Sequence, residues 1–146
     1  MFKKDHILVN VQADDWEEAI RVAGGLLESA RSTTVEYTEA MIDAIHEFGP
    51  YVVILPKFAL AHAAPSESVL QDDVALITLE KPVMFGSPND PVHLIIAICS
   101  KDGKTHLDSL KEIAKFLMKE DTINKLVDAK SVEEVIKITE EHSATL

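Results

Sequence analysis

Apolar residues recur at Trp16, Ala19, Ile20, Ala23, Leu26 and Leu27, a spacing that predicts an amphipathic helix over "DDWEEAIRVAGGLLESAR". Asp14 stands as its N-cap, with Glu17 at capping-box spacing. The Gly24-Gly25 pair weakens the helix and permits a close neighbour. A second helix, "TVEYTEAMIDAIHEF", carries Tyr37, Met41, Ala44, Ile45 and Phe48 on one face and ends at Gly49-Pro50. Strand patterns surround these helices: "HILVNV" (6–11), "YVVIL" (51–55), the shorter "FALA" (58–61), "DVALITLE" and "VHLIIAICS". The last is apolar nearly throughout, as a central strand covered on both faces requires. "GSPNDP" (86–91) is a loop by composition.

Three further helices close the chain. "THLDSLKEIAKFLMK" has Thr105 as N-cap and Asp108 three residues on. "DTINKLVDA" and "SVEEVIKITEEH" follow, the latter with Ser131 and Glu134 as a capping box. Strands mixed with long amphipathic helices, without a Gly-rich turn, predict an α/β layered fold. The length of 146 residues fits one domain, 1–146, and no repeat, low-complexity run or linker divides it.

Charge narrows the function. The chain holds 25 acidic and 14 basic residues, a formal net charge of -11. That balance argues against nucleic acid, which needs clustered Lys and Arg, and suits a basic protein partner. One cysteine, Cys99, excludes an internal disulfide framework and a Cys-rich zinc site; in "HLIIAICS" it reads as a buried small hydrophobe. The N-terminal segment lacks the apolar core of a secretory signal. No run of about 18 apolar residues is present. Both point to the cytoplasm.

Six histidines remain to be sorted. His6 and His142 lie near the ends and are expected in solvent, His46 on a helix surface, and His93 at a strand end. His62 differs. It follows the FALA strand and enters a Pro65-containing loop, flanked by Ala61, Ala63 and Ala64, which leave room for another molecule. A packed structural histidine is the competing reading. His106, read as the first helical position after Thr105, would sit where free N–H groups and the helix dipole favour an anion. Its competing reading is a helix-cap neighbour.

If both rings face one pocket, several chemistries drop out. There is no H-E-x-x-H, no G-x-S-x-G and no P-loop, and no cofactor motif takes their place. An imidazole that is mostly neutral near pH 7 can instead attack phosphorus, with a second histidine as donor to the anion.

Three segments carry a resemblance. "GPYVVILPKFALAHAAPSESV" resembles the active-site segment of phosphotransferase-system enzyme IIA proteins of the mannitol/fructose class (type 2). "ICSKDGKTHLDSLKEIAKFL" is similar to that family's second histidine segment, and "LITLEKPVMFGSPNDPVHLIIAI" to the sheet between them. "GPYVV" and "NDPV" bring it nearest to the ascorbate-type branch. The resemblance implies an α/β sandwich, a mixed sheet flanked by helices. It implies a cytoplasmic phosphotransferase component needing no cofactor or metal. His62 would be the tele-phosphohistidine intermediate and His106 the phosphate-stabilising residue. The implied partners are the phosphocarrier HPr, a IIB component and, through it, the membrane IIC component; a homodimer is left open. The chain departs from the family pattern at Ala61, where many relatives have Pro, and at Ala64, where ascorbate-type members often carry a polar residue. "DAIHEFG" lacks the Arg of mannitol-type members, and Lys57-Phe58 replaces a usual Gly-aliphatic pair. Lys57 and Lys104 are the candidate substitute cations. Two alternatives stand beside this reading: a regulatory IIA-like module signalling through phosphorylated His62, and a histidine-based metal-binding domain.

Overall fold

The computed structural model describes residues 2–119 and 121–144, with the side chains of 142–144 outside that description. Four strands form one mixed sheet: β1 (Ile7–Val11), β2 (Phe58–Ala61), β3 (Asp73–Val83) and β4 (Val92–Cys99), in the order β1-β3-β4-β2. β3 and β4 pair antiparallel, whereas β1 runs parallel to β3 and β2 parallel to β4. The expected mixed α/β architecture is therefore present. β4 is central, as its apolar sequence requires.

Period-two alternation sorts the strand side chains into two cores. Ala59, Ala61, Ala75, Ile77, Ile95, Ala97 and Cys99 pack with Ala19, Ile20, Ala23, Leu27, Tyr37, Met41 and Ile45. These last come from α1 (Trp16–Ser29) and α2 (Val35–Phe48). The alanines on this face let the two helices approach the sheet closely. Leu60, Leu76, Leu94, Ile96 and Ile98 face the other way. They meet Ile113, Phe116 and Leu117 of α3 (Gly103–Leu117), Leu126 of α4 (Thr122–Asp128) and Val135 of α5 (Val132–Ala144).

Gly24 makes the α1–α2 contact possible. A Cβ there would lie 2.3 Å from Thr38 Oγ1. That hydroxyl donates to Glu28 Oε2 at 2.7 Å, tying the helices together. Gly49, at φ 83, ends α2, a left-handed value that glycine adopts freely.

Four expectations are corrected. The N-cap of α1 is Asp15, not Asp14: its carboxylate accepts from Glu18 N at 2.9 Å, and Glu18 Oε2 accepts from Asp14 N. The capping box has moved by one residue, because Trp16 rather than Asp15 opens the helix. "YVVIL" is not a strand. Val52 and Val53 are buried, but the segment turns immediately after Gly49 and again at Lys57 (φ 71), leaving an isolated bridge from Leu55 to Phe58 and a bond from Leu60 N to the Val52 carbonyl rather than a ladder. His6 is not in solvent. It is 4% exposed, and its Nδ1 lies 3.1 Å from the equally buried Asp73 Oδ1. Asp73 also accepts from Ser32 Oγ at 2.5 Å, so a polar cluster seals the start of β1 against β3. Finally, α3 begins at Gly103 with Asp102 as N-cap, ahead of the expected Thr105.

His46 is exposed against Glu17, His93 sits at the start of β4, and Cys99 is buried and unpaired, all as expected. Burial pushes the Cys99 thiol up to about 12, so it stays protonated. His142 lies outside the described side chains. Among the described residues no helix is long and apolar enough to cross a membrane.

Candidate functional site

Parallel pairing of β2 with β4 places the C-terminal ends of both strands on one side of the sheet, with Ala61 opposite Ala97. His62 follows β2 directly. β4 leads through Ser100–Asp102 into α3, which carries His106. Residues far apart in the chain thus meet at the crevice that α/β sheets use for ligands. The two imidazole centroids are 5.4 Å apart, with planes tilted by 51°.

His62 is half-buried, and its Nδ1 lies 2.6 Å from the Leu60 carbonyl oxygen. A carbonyl only accepts, so Nδ1 must carry the proton and donate. In the neutral ring, Nε2 then holds the lone pair. Burial lowers the His62 pKa below the ordinary imidazole value; the Leu60 bond opposes the shift and nearby His106 adds to it. Burial also lowers that of His106. Both rings are therefore mostly neutral near pH 7.

His106 lies in the first turn of α3 but is not its first residue. Asp102 accepts from Thr105 N at 2.7 Å, and His106 N donates to the Asp102 carbonyl at 3.1 Å. The expectation that His106 is the first helical position is corrected: it is the fourth residue of α3, and its own N–H is already engaged in the helix. What His106 offers is its ring. Its Nδ1 is shielded from water and has no hydrogen-bond partner among the described residues.

The two rings open into a cleft of about 870 Å³. Ala40, Ala44 and Phe48 of α2 form one wall, Tyr51 and the Ala63–Ser66 loop the other. Helical spacing assigned Ala44 and Phe48 to the core face; instead they line this cleft, and Phe48 is 71% exposed. Among the described residues no Lys or Arg lines it. Lys57 does not substitute for the family's Arg: its Nζ donates to Asn124 Oδ1 at 3.0 Å, beside a separate groove. Lys104 is exposed in the same helical turn as His106. Among the described residues no group of three or more His, Cys, Asp or Glu could hold a metal ion.

The chain matches the family "Phosphoenolpyruvate-dependent sugar phosphotransferase system, EIIA 2" over residues 1–142. It belongs to that family. The ascorbate-specific EIIA component of Escherichia coli is 31% identical over 140 residues, covering 94% of this chain and 91% of the relative. Solved structures agree. The mannitol-specific cryptic enzyme IIA of Escherichia coli superposes with TM-score 0.86 at 28% identity, over 94% of this chain and 93% of the other. The mannitol enzyme IIA of Escherichia coli, solved in complex with phosphorylated enzyme IIB, gives TM-score 0.83 at 26% identity, over 94% and 97%. The chain is thus a IIA component of a sugar phosphotransferase system.

Sequence reasoning singled out His62 and His106, which the structure brings side by side, but missed what holds His62. Tyr51 Oη donates to the His62 carbonyl at 2.7 Å, and its ring stands edge-on to the imidazole with centroids 5.3 Å apart. Tyr37, legible only as a core-face position, reaches Ala63 N at 3.0 Å and the Ile98 carbonyl at 2.7 Å. The one available signal was a tyrosine, rather than phenylalanine, at each position: a buried hydroxyl needs a partner.

Proposed function

We propose that this chain is a phosphoryl carrier that accepts phosphate from HPr on His62 and passes it to a IIB component. The observation that carries this reading is the 2.6 Å bond from His62 Nδ1 to the Leu60 carbonyl, which leaves Nε2 as the nucleophile. The Nε2 lone pair attacks phosphorus. The donor's bond to phosphorus breaks as the N–P bond forms, and the Nδ1 proton stays on the Leu60 side. Onward transfer reverses these roles, with IIB as acceptor. The ring of His106 would supply an N–H donor to a phosphoryl oxygen, an interaction that strengthens as charge develops.

Small neighbours support the same reading. Ala61, Ala63 and Ala64 put no bulk around the ring, so two different proteins can reach it in turn. The relative solved with phosphorylated IIB supports IIB as a partner. IIB would then phosphorylate a sugar entering through a membrane IIC component, which assigns this chain to the cytoplasm.

The test is labelling with phosphoenolpyruvate, enzyme I and HPr. Wild type should take up phosphate and His62→Ala none. His62→Gln should fold and also remain unlabelled, since a loop with small neighbours tolerates the amide. Normal labelling of His62→Ala would overturn the assignment.

A further inference from the structure

One peptide unit, between His62 and Ala63, is gripped at both polar ends by tyrosine hydroxyls. Tyr51 Oη donates to its carbonyl oxygen at 2.7 Å. Tyr37 Oη accepts from its N–H at 3.0 Å and donates its own proton to the Ile98 carbonyl at 2.7 Å, with a longer 3.3 Å approach to the Ala63 carbonyl. The tyrosines come from separate places, Tyr37 from the first turn of α2 and Tyr51 from the segment after the Gly49 cap. Tyr37 is 1% exposed, whereas Tyr51 borders the cleft at 37%.

The grip matters because nothing regular holds this stretch. The β2 ladder ends at Ala61, and residues 62–66 form neither strand nor helix. The flanking alanines have no side-chain anchors. If this backbone shifted, the His62 Cα and the imidazole it carries would move with it. The 2.6 Å bond from Nδ1 to Leu60 would then be lost, and with it the tautomer that leaves Nε2 free. Catalytic groups must be held within a fraction of an ångström by residues that are themselves fixed.

We infer that Tyr51 is a positioning residue for His62. Its hydroxyl anchors the backbone at His62, and with the Cα held the ring keeps its place on the Leu60 carbonyl. The consequence for transfer rests on His62 being the phosphoryl acceptor; the consequence for the ring does not. Tyr37 is the fixed end of the clamp. It is the poorer probe, because its loss would orphan a buried N–H and carbonyl and unsettle the core.

Tyr51→Phe in the full chain removes only the hydroxyl and keeps the ring. Two readouts are needed. Nitrogen-15 NMR of the histidine rings should show the wild-type His62 almost wholly as the Nδ1–H tautomer, with the variant shifted toward a mixture. Single-turnover transfer from phosphorylated HPr should slow about 5- to 10-fold, the loss of one hydrogen bond, at unchanged half-saturating HPr. Unchanged His62 ring signals in the variant would overturn the inference, whatever the transfer rate. A slowed rate with unmoved signals would mean that Tyr51 acts on the partner instead. Shifted ring signals in a protein that is never labelled on His62 would uphold the positioning role and overturn the acceptor assignment alone.

Discussion

The ring of His106 lies 5.4 Å, centroid to centroid, from that of His62, close enough for an anion on one ring to reach a donor on the other. In the proposed mechanism His62 carries the phosphoryl group and His106 supports it. His106→Ala should still take phosphate from HPr. Its onward transfer to IIB should slow by about 100-fold, the usual cost of one positioned donor. Quench-flow measurement of transfer between purified components is the check. Unchanged transfer would make His106 a helix-cap neighbour only.

The pH profile follows from the lowered pKa of His62. Its cause is burial first, reinforced by His106. A lowered pKa keeps the ring neutral and nucleophilic to more acidic pH than a free imidazole. Below its own pKa the ring gains a proton on Nε2 and loses the lone pair. Phosphate uptake should therefore hold steady as pH falls from about 8 and decline only below the ordinary value of about 6.5. The initial labelling rate against pH, at saturating phosphorylated HPr, checks this. A decline centred above the ordinary value would contradict the burial argument.

Two adjacent glycines should behave oppositely. A Cβ on Gly24 would come within 2.3 Å of Thr38 Oγ1 and 2.8 Å of its Cγ2, so Gly24→Ala must push α1 and α2 apart. Overpacking of this kind costs about 1–3 kcal/mol, and Tm should fall by roughly 3–10 °C. A Cβ on Gly25 meets nothing within 4 Å. Gly25→Ala should instead raise Tm by a few degrees, because alanine is worth up to about 1 kcal/mol over glycine inside a helix. Calorimetry of the two variants separates the effects.

Charge should act on encounter more than on chemistry. With a net charge of -11, encounter with a basic face on the proposed donor, HPr, should be steered, so the association rate should drop as salt rises. The phosphoryl-transfer step between docked proteins is screened less and should respond weakly. Stopped-flow association and single-turnover transfer, measured across one salt series, distinguish the two. Equal salt dependence of both would refute this.

Local pattern sufficed for much of this protein. Ala59 and Ile95 face one core and Leu60 and Ile96 the other because strand side chains alternate, and that alternation is written in the order of residues. The helix faces of α1 were legible for the same reason, as was the loop position of His62. Tertiary structure decided the rest. His6 looked like a solvated terminal residue, since nothing near it in sequence reveals that Asp73 will lie 3.1 Å away across two paired strands. "YVVIL" has strand composition, yet a strand needs a continuous partner, and the turns at Gly49 and Lys57 deny it one. Capping preferences alone could not choose between Asp14 and Asp15, or between Asp102 and Thr105, because each can accept from a backbone N–H. The meeting of His62 with His106, and the grip of Tyr51 and Tyr37 on the His62–Ala63 peptide, depend on β2 running parallel to β4. That pairing joins segments separated by a whole strand and loop, and its register is set by burial on both faces of the sheet, a property of the assembled core and of no single segment.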